Sequence, residues 1–331
     1  MDLDVVIRGT GSYLPARVFT NDDYSEVVDT SDEWITERTG IKVRHLASPG
    51  ETSSYMAAEA GRKALAMANA SAENLELIIV PTVTPERVFP ATAGLVQARL
   101  GAKKAGCFDL EAACSGFIYA LACATSLLRT REFKNALVIG AEIMSAIVNF
   151  TDRSTCVLFG DAASAVYLEA VPGGDRPRGV LHFDLGSDGN FAHILYQEAG
   201  GSAQPPTVDS VLEEQHFVYM EGQEVFKRAV RTMEETVLRV LKKAQCPKED
   251  VCWFIPHQAN ERIIRSVRER LGVDEERVYT NIQNYGNTTS ASIPLCIDEL
   301  NRSGKLKRGD KIVIFAFGAG LSWASAFIVW D

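Results

Sequence analysis

The sequence predicts an α/β fold built from two similar halves, and three observations carry that prediction. Apolar strand-like runs alternate with helical ones, the order of these runs repeats, and 331 residues exceed what one hydrophobic core usually organises. In the first half, residues 5–9, 77–83, 136–140 and 163–170 read as strands, and 55–68 and 115–128 as the helices between them. Such alternation packs helices on both faces of a sheet.

The second half repeats the order. Residues 75–82 resemble 251–257, with Pro81 and Pro256 lying 175 apart (256 − 81). A strand at 107–110 and a helix opened by Cys114 resemble 279–282 and a helix opened by Asn287, 173 further on (287 − 114). Each helix ends in a basic connector, Arg129-Thr130-Arg131 or Lys305-Leu306-Lys307-Arg308, followed by a buried strand, 136–140 or 312–317. The matching offsets predict a duplication, with an N-terminal half over 1–173 and a C-terminal half over 174–331. Val171-Pro172-Gly173-Gly174 marks the break. Residues 184–210, rich in Gly, Ser and Pro, read as an irregular excursion of the kind that forms lids. If the halves pack as a pseudo-dimer, Cys114, His257 and Asn287 meet at the seam.

Composition narrows the function. A formal charge of −9 argues against a general nucleic-acid binder, which needs clustered Lys and Arg. The acidic start Met1-Asp2-Leu3-Asp4 is no signal peptide. The longest uncharged stretch, 112–128, has 17 residues and contains Gly116, so it reads as a buried helix rather than a membrane span. Seven cysteines without a CxxC pair point to a reduced, cytoplasmic protein with no zinc site.

Three residues invite chemistry. Cys114 stands among small neighbours at a strand-to-helix turn, where a helix N-terminus favours thiolate and backbone N–H groups can hold an oxyanion. The other six cysteines, and Cys114 taken alone, fit equally well as small buried hydrophobes. His257 ends the apolar run 253–256, a carboxyl-end position where α/β folds gather catalytic groups, although a structural histidine fits there too. Asn287 is either a cap or a hydrogen-bond donor. Phe317-Gly318-Ala319-Gly320-Leu321 closes a buried strand with residues small enough for close backbone approach.

Together the motifs resemble the β-ketoacyl-acyl carrier protein synthase III family of the thiolase superfamily, over nearly the whole chain. They are Thr30-Ser31-Asp32-Glu33-Trp34-Ile35, Arg38-Thr39-Gly40-Ile41, Ala112-Ala113-Cys114-Ser115-Gly116-Phe117, Thr151-Asp152-Arg153, Phe159-Gly160-Asp161, Pro256-His257-Gln258-Ala259-Asn260 and Gly286-Asn287-Thr288. The resemblance implies a thiolase-like fold of duplicated αβαβα halves related by a pseudo-two-fold axis. It implies a homodimer that takes an acyl group from acyl-coenzyme A onto Cys114 and condenses it with malonyl-acyl carrier protein, with no metal or cofactor. His257 and Asn287 would stabilise the enolate, and the amides of Cys114 and Ala319 the oxyanion, with Phe317 against the thiol. Trp34 and Arg153 would sandwich the coenzyme A adenine, with Arg38 nearby. Taken alone, Trp34 reads as packing on a helix opened by a Thr30-to-Glu33 capping box. Phe89 would reach the partner's acyl pocket. Lys227, Arg262 and Arg265 would dock the acidic carrier; as a bare pattern, the arginines after His257 also fit a solvated face diluted by Glu261 and Glu269.

Two departures stand out. The family commonly has Gly-Gly-Gly-Phe where this chain has Gly318-Ala319-Gly320-Leu321, and Gln223 replaces a shorter amide. Both bear on acyl specificity. A hydroxymethylglutaryl-type synthase would want a carboxylate acid, a non-catalytic partner subunit would lack the nucleophile, and a hydrolase would use His257 to activate water. A specialised ketosynthase with another starter remains the alternative within the same chemistry.

Overall fold

A computed structural model of the chain describes residues 3–331. The first sheet runs in the order Leu3–Tyr13, Ala162–Pro172, Asn135–Glu142, Leu77–Pro81, Gly106–Leu110. The second runs Gly179–Ser187, Ser322–Val329, Lys311–Gly318, Trp253–Pro256, with matching strand directions. Its fifth place is held by a single bridge between Phe254 and Val278. Residues 279–282, expected as a strand, instead lead into the helical turn Ile282–Tyr285.

Leu77 and Ile79 face the core between the sheets, while Ile78 and Val80 face the outer helices. A strand covered on both faces must be apolar throughout, which is why this run shows no alternation in the sequence. Helices Gly116–Arg129 and Ser292–Arg302 fill the middle layer, burying Phe117, Leu121, Ile293 and Ile297 against both sheets. Helix Ser53–Met67, capped by Thr52, covers the first sheet. Gly222–Ala244 and Glu261–Leu271 cover the second, the latter through Ile263, Ile264, Val267 and Leu271 as its periodicity predicts. The result is the five-layered, duplicated arrangement expected of a thiolase-like fold.

Element bounds fix the repeat at 176 positions. Strands Leu77–Pro81 and Trp253–Pro256 start 176 apart (253 − 77), as do Asn135–Glu142 and Lys311–Gly318 (311 − 135), and Ile79 and Ile255 both face the core between the sheets (255 − 79). The turn Ala113–Ser115 likewise matches Thr289–Ala291 (289 − 113). Ala113 and Thr289 even share a left-handed backbone, with φ 47° and 46°. Both offsets read from the sequence therefore need correction. His257, not Pro256, is the counterpart of Pro81, and Ser290, not Asn287, is the counterpart of Cys114. A one-residue shift matters because it turns every strand side chain to the opposite face.

Two local expectations also change. Ser31, not Thr30, caps helix Asp32–Thr39, its Oγ accepting from the Trp34 N–H at 3.1 Å. The excursion begins only after Ser187, because Asp184 is a buried strand residue. Asp184 is tolerated there because it accepts from Thr236, Arg239 and Lys243 at 2.8, 2.8 and 3.0 Å. The excursion is partly ordered: Leu195–Gln197 pairs with Val218–Met220, and Val208–Leu212 is a short capped helix.

Arg44 is wholly buried and forms no salt bridge among the described residues. Its guanidinium donates to the Val157 carbonyl and to the Asn21 side chain, over the Tyr24 ring. Burial lowers its pKa to about 10, still above any working pH. Its stem stands 3.1 Å from where a Gly286 Cβ would lie and 3.2 Å from that of Gly160. The arginine thus underpins the segment that carries Asn287.

Candidate active site

Cys114 lies in the tight turn Ala113–Ser115 just before helix Gly116–Arg129. Ala113 N–H is held by the Glu111 carboxylate at 2.8 Å. The turn is sewn to the second half: Ser322 Oγ donates to the Ala112 carbonyl at 2.9 Å and Ser115 Oγ to the Ser322 carbonyl at 3.2 Å. Gly318 packs so closely that a Cβ there would meet Cys114 N at 2.7 Å. Only glycine lets the 318–320 turn approach the cysteine this way. Phe317, 5% exposed, precedes it.

The thiol differs from its sequence expectation in one respect. Burial is the main cause that pushes Cys114 up to about 12, and only its own backbone N–H pulls the other way. The sequence shows the helix N-terminus but not the depth at which the thiol sits. At rest the group is a neutral thiol.

His257 is 1% exposed, with its N–H held by the Phe315 carbonyl at 2.8 Å. Nδ1 lies 2.7 Å from Ser292 Oγ, which also accepts from the Gln258 N–H at 3.4 Å. When Ser292 donates its proton to Nδ1, the imidazole proton sits on Nε2. Nε2 has no partner among the described residues. Burial lowers the His257 pKa to about 3, so the ring is neutral.

Asn287 is fixed through backbone and side chain. Its N–H bonds the Leu158 carbonyl at 2.8 Å, and its carbonyl accepts from Gly160 at 3.0 Å. Oδ1 accepts from the Thr289 N–H at 2.9 Å, which directs Nδ2 elsewhere as a donor. Asn287 therefore caps its own turn rather than the helix that follows. The Phe159-Gly160-Asp161 motif gains a physical role here: it is the rail against which Asn287 lies.

Cys114, His257, Asn287, Phe317 and Ala319 line one cavity of about 1060 Å³. Trp34, Arg38 and Arg153 line the same cavity. The Arg38 and Arg153 guanidiniums stand 4.5 and 4.7 Å from the indole centre. Gln223, Lys227 and Arg262 also line it, whereas Arg265 and Phe89 do not. Phe89 is 83% exposed on a loop after Leu77–Pro81. The basic face after His257 is narrower than its sequence implies, because Arg268 is drawn to Glu275 and Arg270 to Glu234. Sequence reading missed Ser292, which touches His257, and the contacting pair Ser290 and Glu142; the corrected 176-residue register would have flagged Ser290 and Glu142 as counterparts of Cys114 and Gly318.

Comparison with known proteins supplies the family. Residues 108–189 match 3-oxoacyl-[acyl-carrier-protein] synthase III, and residues 241–330 match its C-terminal region. The chain is 50% identical to the β-ketoacyl-[acyl-carrier-protein] synthase III of Caldanaerobacter subterraneus subsp. tengcongensis, covering 98% of this chain and 97% of that protein. It is 47% identical to the Rhodospirillum centenum protein of the same name, over the full length of both. The crystal structure of 3-oxoacyl-[acyl-carrier-protein] synthase III from Aquifex aeolicus superposes with a TM-score of 0.91 at 46% identity, covering 98% of this chain and all of that one. With relatives of this identity spanning almost every residue, the chain belongs to the β-ketoacyl-acyl carrier protein synthase III family.

Proposed function

We propose that the protein is a β-ketoacyl-acyl carrier protein synthase III, a condensing acyltransferase that starts fatty acid synthesis from acyl-coenzyme A and malonyl-acyl carrier protein. The observation that carries this is the meeting, in one cavity, of the Cys114 thiol beside the Gly318–Ala319 turn with the neutral His257 imidazole and the Asn287 amide, which are read as donors through Nε2 and Nδ2.

The thiol of Cys114 attacks the acyl thioester, and its proton leaves with the coenzyme A thiol. The N–H groups of Cys114 and Ala319 receive the developing oxyanion, with Phe317 against the sulfur. Malonyl thioester then loses CO2, and the freed electron pair becomes an enolate whose oxygen accepts from His257 and Asn287. The enolate carbon attacks the acyl-Cys114 carbonyl. Collapse expels the sulfur, which regains a proton. Neutral donors suit this step, since they stabilise charge that appears only in the transition state.

Trp34 and Arg153, with Arg38, are read as the adenine clamp; both guanidiniums lie against the indole, and the base takes the place of one of them to stack there. Stacking of this kind contributes about 1–3 kcal/mol, so Trp34→Ala is expected to raise KM for acyl-coenzyme A roughly tenfold with kcat little changed. Steady-state kinetics check this, and an unchanged KM removes the clamp. Lys227, Arg262 and Arg265 are read as the carrier-protein face. The exposure of Phe89 supports its reach into the partner subunit of a homodimer. We place the enzyme in the cytoplasm, divided into halves at 1–173 and 174–331; no described helix is long and apolar enough to cross a membrane.

The deciding experiment incubates the protein with acetyl-, isobutyryl- and longer acyl-coenzyme A, each with malonyl-acyl carrier protein, and measures β-ketoacyl-carrier product and CO2. Stoichiometric product and CO2 are expected. Free fatty acid without malonyl dependence would establish a hydrolase instead.

A further inference from the structure

The duplication exposes a carboxyl group that the condensation mechanism does not use. Glu142 ends strand Asn135–Glu142 and is wholly buried. Its counterpart across the pseudo-two-fold, 176 residues on, is Gly318. The counterpart of Cys114 is Ser290. The same pair of positions is therefore built twice, with different contents. On one side a bare Gly318 leaves room at Cys114; on the other, Glu142 reaches Ser290, with Oε1 2.6 Å from Ser290 Oγ.

Ser290 lies in the turn Thr289–Ala291, from which both candidate donors are held. One residue before it, Thr289 N–H binds Asn287 Oδ1 at 2.9 Å. Two residues after it, Ser292 Oγ meets His257 Nδ1 at 2.7 Å. The turn presses on the strand of Glu142, since a Cβ at Gly140 would stand 2.4 Å from the Ser290 carbonyl. We propose that Glu142 is a positioning residue for condensation, a neutral acid that clamps Ser290 and so sets the placement of His257 and Asn287. The proposal rests on reading those two residues as the enolate donors.

A neutral Glu142 is the state that satisfies both contacts of Ser290. Ser290 Oγ has one proton and two acceptors in reach, the Pro81 carbonyl at 3.0 Å and Glu142 Oε1 at 2.6 Å. Both contacts are satisfied when Glu142 donates to Ser290 and Ser290 donates to Pro81. The other oxygen, Oε2, accepts from Val83 N–H, Thr84 Oγ1 and Thr82 Oγ1 at 3.1, 2.9 and 3.2 Å. Burial also raises the Glu142 pKa. A neutral acid adds no charge behind the Cys114 thiol, so burial remains the cause that holds the thiol up.

Glutamine reproduces this pattern: its NH2 donates to Ser290 and its carbonyl accepts the three donors. Alanine reproduces none of it. The test compares wild type, Glu142→Ala, Glu142→Gln and Ser290→Ala in single turnovers, timing first the acylation of Cys114 by labelled acetyl-coenzyme A, then condensation with malonyl-acyl carrier protein. Misplacing a donor by a fraction of an ångström is expected to slow condensation roughly 10- to 100-fold in Glu142→Ala and Ser290→Ala. Acylation should stay near wild type, and Glu142→Gln should recover most of the condensation rate. Acylation and condensation falling together, or Gln failing as badly as Ala, overturns the positioning role. If Glu142→Ala does not fold, Ser290→Ala and Glu142→Gln test the same contact from its two ends. A wild-type protein that acylates but never condenses would sink the functional reading itself, and the wild-type arm reports that separately.

Discussion

Cys114→Ala is expected to abolish covalent labelling by acyl-coenzyme A and to reduce condensation by about 10⁴-fold or more. The size follows from the role. Without a sulfur to carry the acyl group, two reactants must meet on the enzyme at once, and the split into two easier steps is lost. The alanine leaves the surroundings nearly intact, since the Ser322–Ala112 and Ser115–Ser322 hydrogen bonds that hold the turn do not involve the thiol. Unfolding curves for the variant should therefore overlay those of wild type to within about 1–2 kcal/mol, the cost of removing one small buried atom. Mass spectrometry of the intact protein after exposure to acetyl-coenzyme A provides the reading. An acetyl adduct that survives in Cys114→Ala, mapped to any of the other six cysteines, would remove Cys114 from the mechanism.

The architecture was legible because burial writes itself into composition: an unbroken apolar run at 77–80 announces a strand covered on both faces. The duplication was legible for the same reason, but its register was not. Pro81 and Pro256 look like matching punctuation, yet the positions of the strands make His257 the counterpart of Pro81 (257 − 81). Which face each strand residue presents decides such a shift, and an unbroken apolar run does not record it. The pairing of Cys114 with Ser290 was hidden more deeply. It is marked by a left-handed backbone at Ala113 and Thr289, residue types that rarely adopt it. The thiol's protonation state was also out of reach, because a helix start is visible in sequence and depth is not. Arg44 shows the converse case: a residue of a type that is almost always exposed is here wholly buried.

The second large effect separates the two halves of the reaction. His257→Ala and Asn287→Ala are each expected to accept the acyl group on Cys114 at close to the wild-type rate, then to condense about 10²- to 10³-fold more slowly. Each removes one donor to the enolate oxygen, an interaction made fully only after CO2 has begun to leave. In the proposed mechanism acylation uses the backbone amides of Cys114 and Ala319 instead, so it should be spared. The protonation state gives an independent check. Burial holds His257 neutral down to about pH 3, so in the proposed mechanism it donates without first taking up a proton. Condensation by enzyme that has been acylated beforehand should therefore show no acid limb in the ordinary histidine range between about pH 5 and 7. Had His257 worked as a cation, activity would fall as pH rose through that range; had it worked as a base, activity would fall as pH dropped through it. A flat rate across the interval, together with intact acylation in both variants, is what a neutral donor pair requires. Acylation lost along with condensation in His257→Ala would instead assign the imidazole to the proton of Cys114.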